Sequence, residues 1–202
     1  MLAPLPVYKT LFYTPASARE AVSHFLDTHS LKSSWDFQPQ VSGPDLGYRL
    51  AGGLEQARAR LQGAKLGSSS VAFIGMDCFD LTPSRILGSF SLASASSAYM
   101  LPASDGGYVL LTVPLGCPSI IFDRIPWSCE RTANIQITRL AEAGLSCILG
   151  EELGDVDEPE DLEQLWKSRE QKRLTHPRTF KYLETVMKDS NQDSQATSKL
   201  PD

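Results

Sequence analysis

The 202-residue sequence predicts a three-layer α/β fold in which helices cover both faces of a largely parallel sheet. Three features of the chain point there. Strand-like segments alternate with helical stretches of about 10–15 residues. The run Val71–Met76 is short and mostly apolar, the type that fills the middle of a parallel sheet. Hydrophobic residues make up 42% and charged residues 21%, ordinary proportions for one soluble domain with a proper core. The chain therefore reads as one domain over residues 1–188 and a polar tail over 189–202, which has little to bury and is expected to be disordered.

Taken in order, Val7–Tyr13 reads as a strand ended by Thr14-Pro15, and Ala16 to Leu26 carries Ala21, Phe25 and Leu26 at helical spacing. Phe37–Val41 is an extended piece leading into the turn Ser42-Gly43-Pro44-Asp45. Leu46, Leu50, Leu54, Ala57 and Leu61 recur at three and four residues, the spacing of an amphipathic helix. Gly67–Ser70 is a loop before the strand Val71–Met76. Thr82-Pro83 supplies an N-cap and a proline at the first helical position, so a helix runs from there to about Leu92. Ala98–Pro102 and Tyr108–Val113 are strands joined through Asp105-Gly106-Gly107. A helix from Arg131 to Ala143 stops at Gly144, and Leu145–Leu149 is the next strand. Asp157–Trp166 is a capped helix, and a last amphipathic piece carries Phe180, Leu183 and Met187 on one side.

The net charge of −5 and the lack of any clustered Lys/Arg face argue against a nucleic-acid partner. No apolar run approaches the roughly 20 residues of a membrane span, and Met1–Pro6 has none of the regions of a secretory signal. Cys78, Cys117, Cys129 and Cys147 are scattered with no Cys-x-x-Cys pair, so buried free thiols in a cytoplasmic protein are expected. Asp77 and Asp80 are expected to quieten Cys78 by raising its pKa.

In sheets of this type ligands bind beyond the carboxyl ends of the strands, so acidic and glycine-rich motifs at strand ends are the candidates. In Gly75-Met76-Asp77-Cys78-Phe79-Asp80, Asp77 lies just past an apolar strand, where a carboxylate is costly unless solvated or paired. A hard divalent cation, Mg²⁺ or Mn²⁺, takes oxygen ligands and bridges such an acid to diphosphate oxygens. Asp80 is explained by the helix after it. In Ser104-Asp105-Gly106-Gly107-Tyr108 the glycines permit close backbone approach, and Asp105 is placed to hold a sugar hydroxyl or an acceptor. A tight turn is the simpler local account of that motif. In Gly154-Asp155-Val156-Asp157-Glu158-Pro159-Glu160-Asp161, Asp157 and Glu160 have capping-box spacing, which leaves Asp155 as a second metal ligand. Asp45 is either an N-cap or part of a nucleotide loop, with Arg49 able to meet phosphate. Trp127, in Arg124-Ile125-Pro126-Trp127-Ser128, is either core or a platform for a base or sugar.

In order and spacing these motifs resemble the DUF2064 family of glycosyltransferase-like proteins, within the nucleotide-diphospho-sugar transferases of GT-A type. The residues that carry the resemblance are Gly75-x-Asp77-Cys78-x-Asp80-Leu81, Asp105-Gly106-Gly107-Tyr108, Pro126-Trp127-Ser128 and Asp155-Val156-Asp157-x-Pro159-Glu160-Asp161-Leu162. Upstream, Gln40 and Asp45-Leu46-Gly47-x-Arg49 match as well, and the likeness spans roughly Val7 to Trp166. It implies a Rossmann-like, doubly wound sheet and a divalent metal holding a nucleotide diphosphate. Asp77 would bind the metal, with Asp155 or Asp157 completing the site. Asp77 and Asp105 would be the catalytic pair, and Asp105, Gly106 and Gly107 would line the acceptor side. Gln40, Asp45, Arg49 and Trp127 would contact the nucleotide sugar. The reaction implied is transfer of a sugar or nucleotidyl group.

The sequence departs from the family pattern where a first strand and a Lys/Arg-rich phosphate loop are usual. The chain starts at the strand that usually comes second, and Ala3-Pro4-Leu5-Pro6 with Lys9-Thr10-Leu11 only echoes the loop. Ser104, Tyr48 and Phe79 stand where an acid, a Glu and a Pro are usual. Three functional readings result: a metal-dependent glycosyltransferase-like protein that binds a nucleotide-diphosphate sugar, whether or not it is active in this form; a catalytically dead nucleotide-binding or interaction module; and a nucleotidyltransferase acting on a phosphorylated small molecule. Loss of a central strand leaves inner sheet edges unpaired unless the other strands close up, or a homo-oligomer or partner chain supplies one.

Overall fold

The strand β5 (Tyr108–Pro114) organises the molecule, because the sequence Tyr-Val-Leu-Leu-Thr-Val-Pro is apolar on both of its faces and is buried at every position after the first. A computed structural model of the protein describes residues 5–61 and 70–185. Gly67 to Ser69, Met187, the tail from 189 onward and the Ala3-Pro4 part of the loop echo lie outside them. By its contacts the chain divides into a larger unit, residues 2–154, and a smaller one formed by Met1 and residues 155–202.

In the larger unit β1 (Thr10–Tyr13) and β2 (Asp36–Pro39) form a parallel pair, connected by α1 (Arg19–Thr28). The helix α2 (Leu46–Arg60) leads to β3 (Ser70–Ile74), and α3 (Pro83–Leu92) to β4 (Ser97–Pro102). After β5 come a 3-10 turn Ser119–Phe122, α4 (Thr132–Glu142) and β6 (Ser146–Leu149). The second sheet has the order β3-β5-β4-β6, with β4 and β6 parallel and β5 antiparallel to both β3 and β4. The α/β architecture is as the alternating pattern predicts. The antiparallel strand arises from the tight Asp105-Gly106-Gly107 turn, which forces β4 and β5 into a hairpin.

The position of one strand differs from expectation. The apolar run at 71–76 predicts the middle of a sheet, yet β3 is an edge strand and half-buried at all five residues. An apolar run reports burial without reporting which neighbours supply it.

Alternating side chains of β4 and β5 fill two cores. Ala98, Met100, Leu111 and Val113 meet Leu54 of α2 and Leu140 of α4 on one face. Leu101 and Leu110 meet Ile86 of α3, Leu81 and Leu5 on the other. Thr112, fully buried, shares a 2.7 Å hydrogen bond with Ser89 of α3, so its hydroxyl is satisfied. Truncating a side chain buried like Leu54 costs about 2–5 kcal/mol.

Helix ends obey local rules. Asp45 caps α2 by accepting from Tyr48 N–H at 2.9 Å, and Thr82 caps α3 by accepting from Arg85 N–H at 3.3 Å. The smaller unit holds α5 (Pro159–Lys167), α6 (Arg169–Lys172) and a helix over residues 177–185. Its capping box lies one residue later than the spacing suggests, at Glu158 and Asp161 instead of Asp157 and Glu160. Pro159 decides this, because proline fits the first helical position and so makes Glu158 the cap. Leu165, Phe180 and Leu183 are buried. No helix of the described residues is long and apolar enough to cross a membrane.

All four cysteines are free, but only Cys78 and Cys117 are buried, while Cys129 and Cys147 are half-exposed. Burial pushes the Cys117 and Cys147 thiols up to about 11. Cys129 shifts the other way. A hydrogen bond from the Arg131 backbone N–H is the largest cause, joined by the Thr132 hydroxyl and the Arg131 charge. Iodoacetamide at pH 7.5, read by mass spectrometry, should therefore alkylate Cys129 ahead of Cys117 and Cys147. The gap should narrow as pH rises toward 11, because only thiolate reacts.

Gly106 gives a second test. Its φ is +90°, and a Cβ there would stand 2.2 Å from the Glu130 carbonyl oxygen. Its own carbonyl accepts from Ala133 N–H in the first turn of α4 at 2.9 Å. Gly106→Ala should destabilise the protein by on the order of 2 kcal/mol or more in urea unfolding, from backbone strain plus displacement of the segment before α4.

Candidate functional site

Because β3 and β4 both run antiparallel to β5, their carboxyl ends emerge on the same rim of the sheet. Asp77 comes after β3 and Asp105 after β4, so two of the sequence-predicted acids stand on that rim, both exposed. Asp77 folds back over Gly75, where a Cβ would meet its Oδ1 at 2.6 Å. That close approach explains the glycine. Asp105 Oδ1 accepts from Gly107 N–H at 2.7 Å, which holds the carboxylate over the hairpin turn and leaves Oδ2 unused by that bond. The turn is closed by Gly106 N–H to Ala103 C=O and by Ala103 N–H to Gly107 C=O. Leu153, after β6, bridges Ala103, so the strand leading to Gly154 extends along the same rim.

Arg85 is the residue that motif reading missed. It sits in the first turn of α3, donates to Asp80 C=O at 2.8 Å and pairs with Glu151. It therefore pins the loop that carries Asp77 and brings a cation to the strand ends. The only hint in the sequence is its place three residues after the Thr82 cap, which a surface arginine would share.

The second predicted group lies between β2 and α2. Gln40 Oε1 accepts from Arg49 Nη1 at 3.1 Å, and Asp45 is engaged as the α2 cap. Arg49 of α2 is half-buried and held by Gln40, which ties its guanidinium to the segment just after β2. Trp127 packs beside Gly47 of the same helix, where a Cβ would lie 3.1 Å from the indole Nε1. The indole also meets Tyr108 edge-on, with ring centroids 6.4 Å apart. Its Nε1 is buried with no hydrogen-bond partner among the described residues. The backbone on either side, at Arg124 and Ser128, has φ of 55° and 58°. Behind the indole, the Tyr108 hydroxyl donates to Gln136 Oε1 at 3.1 Å, and Gln136 Nε2 donates to Ile121 C=O at 2.9 Å. Burial drives the Tyr108 hydroxyl far above its ordinary pKa, so it stays a neutral donor.

The third group belongs to the smaller unit. The half-buried Asp155 and exposed Asp157 bring carboxylate oxygens within 4.8 Å of each other. Since Glu158 and Asp161 form the cap, the Asp157 side chain is not used for it; its backbone N–H and that of Glu158 donate to Asp161 Oδ2 at 3.2 and 3.0 Å. Two like charges at that range repel by about 1 kcal/mol in bulk water and by several times that near a protein surface. Hard carboxylate oxygens of this kind suit Mg²⁺ or Mn²⁺.

A search of curated proteins finds no match. Among solved structures, the chain is similar to a provisionally assigned nucleotide-diphospho-sugar transferase from Desulfovibrio desulfuricans G20. The TM-score is 0.70 at 24% identity, covering 83% of this chain and 69% of that one. At this identity the likeness establishes the fold alone, a Rossmann-like α/β fold shared with that structure. The profile of a family described as an uncharacterized protein conserved in bacteria, DUF2064, matches residues 3–129. With well over half its residues matched by that profile, this chain belongs to the DUF2064 family.

Proposed function

We propose that the protein binds the diphosphate of a nucleotide sugar together with a divalent cation and serves as a metal-dependent glycosyltransferase-like domain. The observation that carries this reading is the close approach of the Asp155 and Asp157 carboxylates, two hard oxygen donors within reach of one cation. The fold shared with the Desulfovibrio protein supports it, since that protein is assigned to nucleotide-diphospho-sugar transfer.

In this reading Asp155 and Asp157 are the metal-binding acids of the smaller unit, and Asp77, taken by itself, is the candidate metal-binding acid of the larger one. A bound Mg²⁺ or Mn²⁺ would supply charge neutralisation to the diphosphate. The chain's own residues do the remaining work. Asp105, with one oxygen tied to Gly107 N–H, presents the other to a hydroxyl of the acceptor. Arg85 steadies the Asp77 loop through Asp80 C=O. Arg49, aligned by Gln40, offers its remaining N–H groups to phosphate, and Trp127 borders the nucleotide.

Calorimetric titration with Mn²⁺ is expected to show binding that weakens at least tenfold in Asp155→Asn and in Asp157→Asn. Undiminished affinity in both variants would remove the metal role from this pair. Mn²⁺ with a nucleoside diphosphate at a hundredfold excess over Kd should add about 2.7 kcal/mol of stability, and Asp77→Ala should abolish that gain. Assay of a panel of nucleotide sugars then separates binding from chemistry. Turnover that disappears in Asp77→Ala establishes a transferase, whereas binding without turnover identifies a nucleotide-binding module.

A further inference from the structure

We propose that the exposed face of residues 173–182, in the smaller unit, is a docking surface for an anionic lipid bilayer, to which it attaches the protein peripherally and reversibly. Residues 167–181 hold six Lys and Arg and a single acid, Glu170, in a chain whose net charge is −5. Neutral residues lie between most of these cations, so the linear sequence shows no dense basic run. Folding gathers them. The basic face that sequence reading does not find is therefore present in this unit.

The helix over residues 177–185 has two opposed sides. Phe180 and Leu183 are buried. Arg178, Lys181 and Tyr182, spaced at three and four residues, fall on the opposite side, and all three are exposed. Glu184, the one acid of that helix, lies on its flank. Arg173 and Leu174 come just before, in the turn after α6, and both are exposed. His176 N–H donates to Lys172 C=O at 2.9 Å and Phe180 N–H to His176 C=O at 3.2 Å, so a tight turn joins the two helices. Leu174 is 85% exposed and Tyr182 68%, large apolar surfaces standing in water among cations. Among the described residues none of Arg173, Arg178 and Lys181 enters an ion pair. Arg169 is set apart from them, over the Trp166 ring and beside Glu170.

Charge and apolar exposure together select the occupant. Unpaired cations are drawn to the negative potential of an anionic leaflet, and the pull fades within a Debye length of the surface. Leu174 and Tyr182 add the second force. A leucine held up at a turn buries in the boundary between headgroups and acyl chains, and a tyrosine matches that boundary with an apolar ring and a polar tip. Phosphates of a nucleic acid would engage Arg173, Arg178 and Lys181 and leave the Leu174 side chain in water. A bilayer uses all five residues. Few groups take part, so the attachment is reversible and weakens with ionic strength.

The test is co-sedimentation of the full chain with sucrose-loaded vesicles. At about 0.1 M salt, phosphatidylcholine vesicles with about 30% phosphatidylserine should capture on the order of tenfold more protein than phosphatidylcholine alone. The difference should vanish at about 0.5 M salt. The double variant Arg178→Glu with Lys181→Glu should lose capture while melting at the native temperature, since both side chains are exposed. Leu174→Ser with Tyr182→Ser keeps the charge and should weaken capture by roughly threefold or more. Equal capture with and without phosphatidylserine would overturn the proposal, as would undiminished capture of the Arg178→Glu, Lys181→Glu variant. Native capture by the Leu174→Ser, Tyr182→Ser variant, with equal or tighter binding to an oligonucleotide, would also overturn it and identify a site for soluble polyanions instead.

Discussion

The hairpin at Asp105-Gly106-Gly107 holds the larger unit in its arrangement. It turns β5 back against β4, so that a strand apolar on both faces gains hydrogen bonds along both edges and cover from α2, α4 and α3. The same turn docks on α4, with Gly106 C=O taking an otherwise unpaired N–H of that helix. Only a residue without a side chain fits, since the Glu130 backbone occupies the space a Cβ would need. One peptide unit thus fixes strand direction, helix position and the carboxylate that comes after β4.

From that geometry the acids of the larger unit take their place. Antiparallel β5 makes β3 and β4 parallel to each other, which puts Asp77 and Asp105 on one rim although 28 residues separate them in the chain. Apolar strands end there, the glycines let carboxylates fold close to the backbone, and Arg85 braces the first loop. The chemistry proposed for the protein uses these features: acids in water at the end of a rigid sheet.

The split into two sheets is the other consequence of strand order. A doubly wound sheet distributes hydrogen bonds to every inner strand, and here the four-stranded part ends at β3 while the two-stranded part ends at β1. Among the described residues no ladder joins the two parts, and α2 touches both through Gly53, which packs near Phe73 and Phe12.

Local sequence was enough to specify the elements and their caps. Helical spacing from Leu46 to Leu61, Thr82-Pro83 at the start of α3 and Gly144 after α4 each act over a few residues, and each is found where local physics puts it. It also carried the family, because the spacing of Asp77, Asp105 and Trp127 is a linear pattern within residues 3–129. Long-range contacts settled what depends on distant partners. Val71-Ala72-Phe73-Ile74 became an edge because strand order is set by the hairpin and not by hydrophobicity. Arg85 entered the site because its partners, Asp80 and Glu151, are brought together only by folding. Local periodicity is short-ranged, whereas the neighbours of a strand and the partners of a charge are chosen by contacts far along the chain.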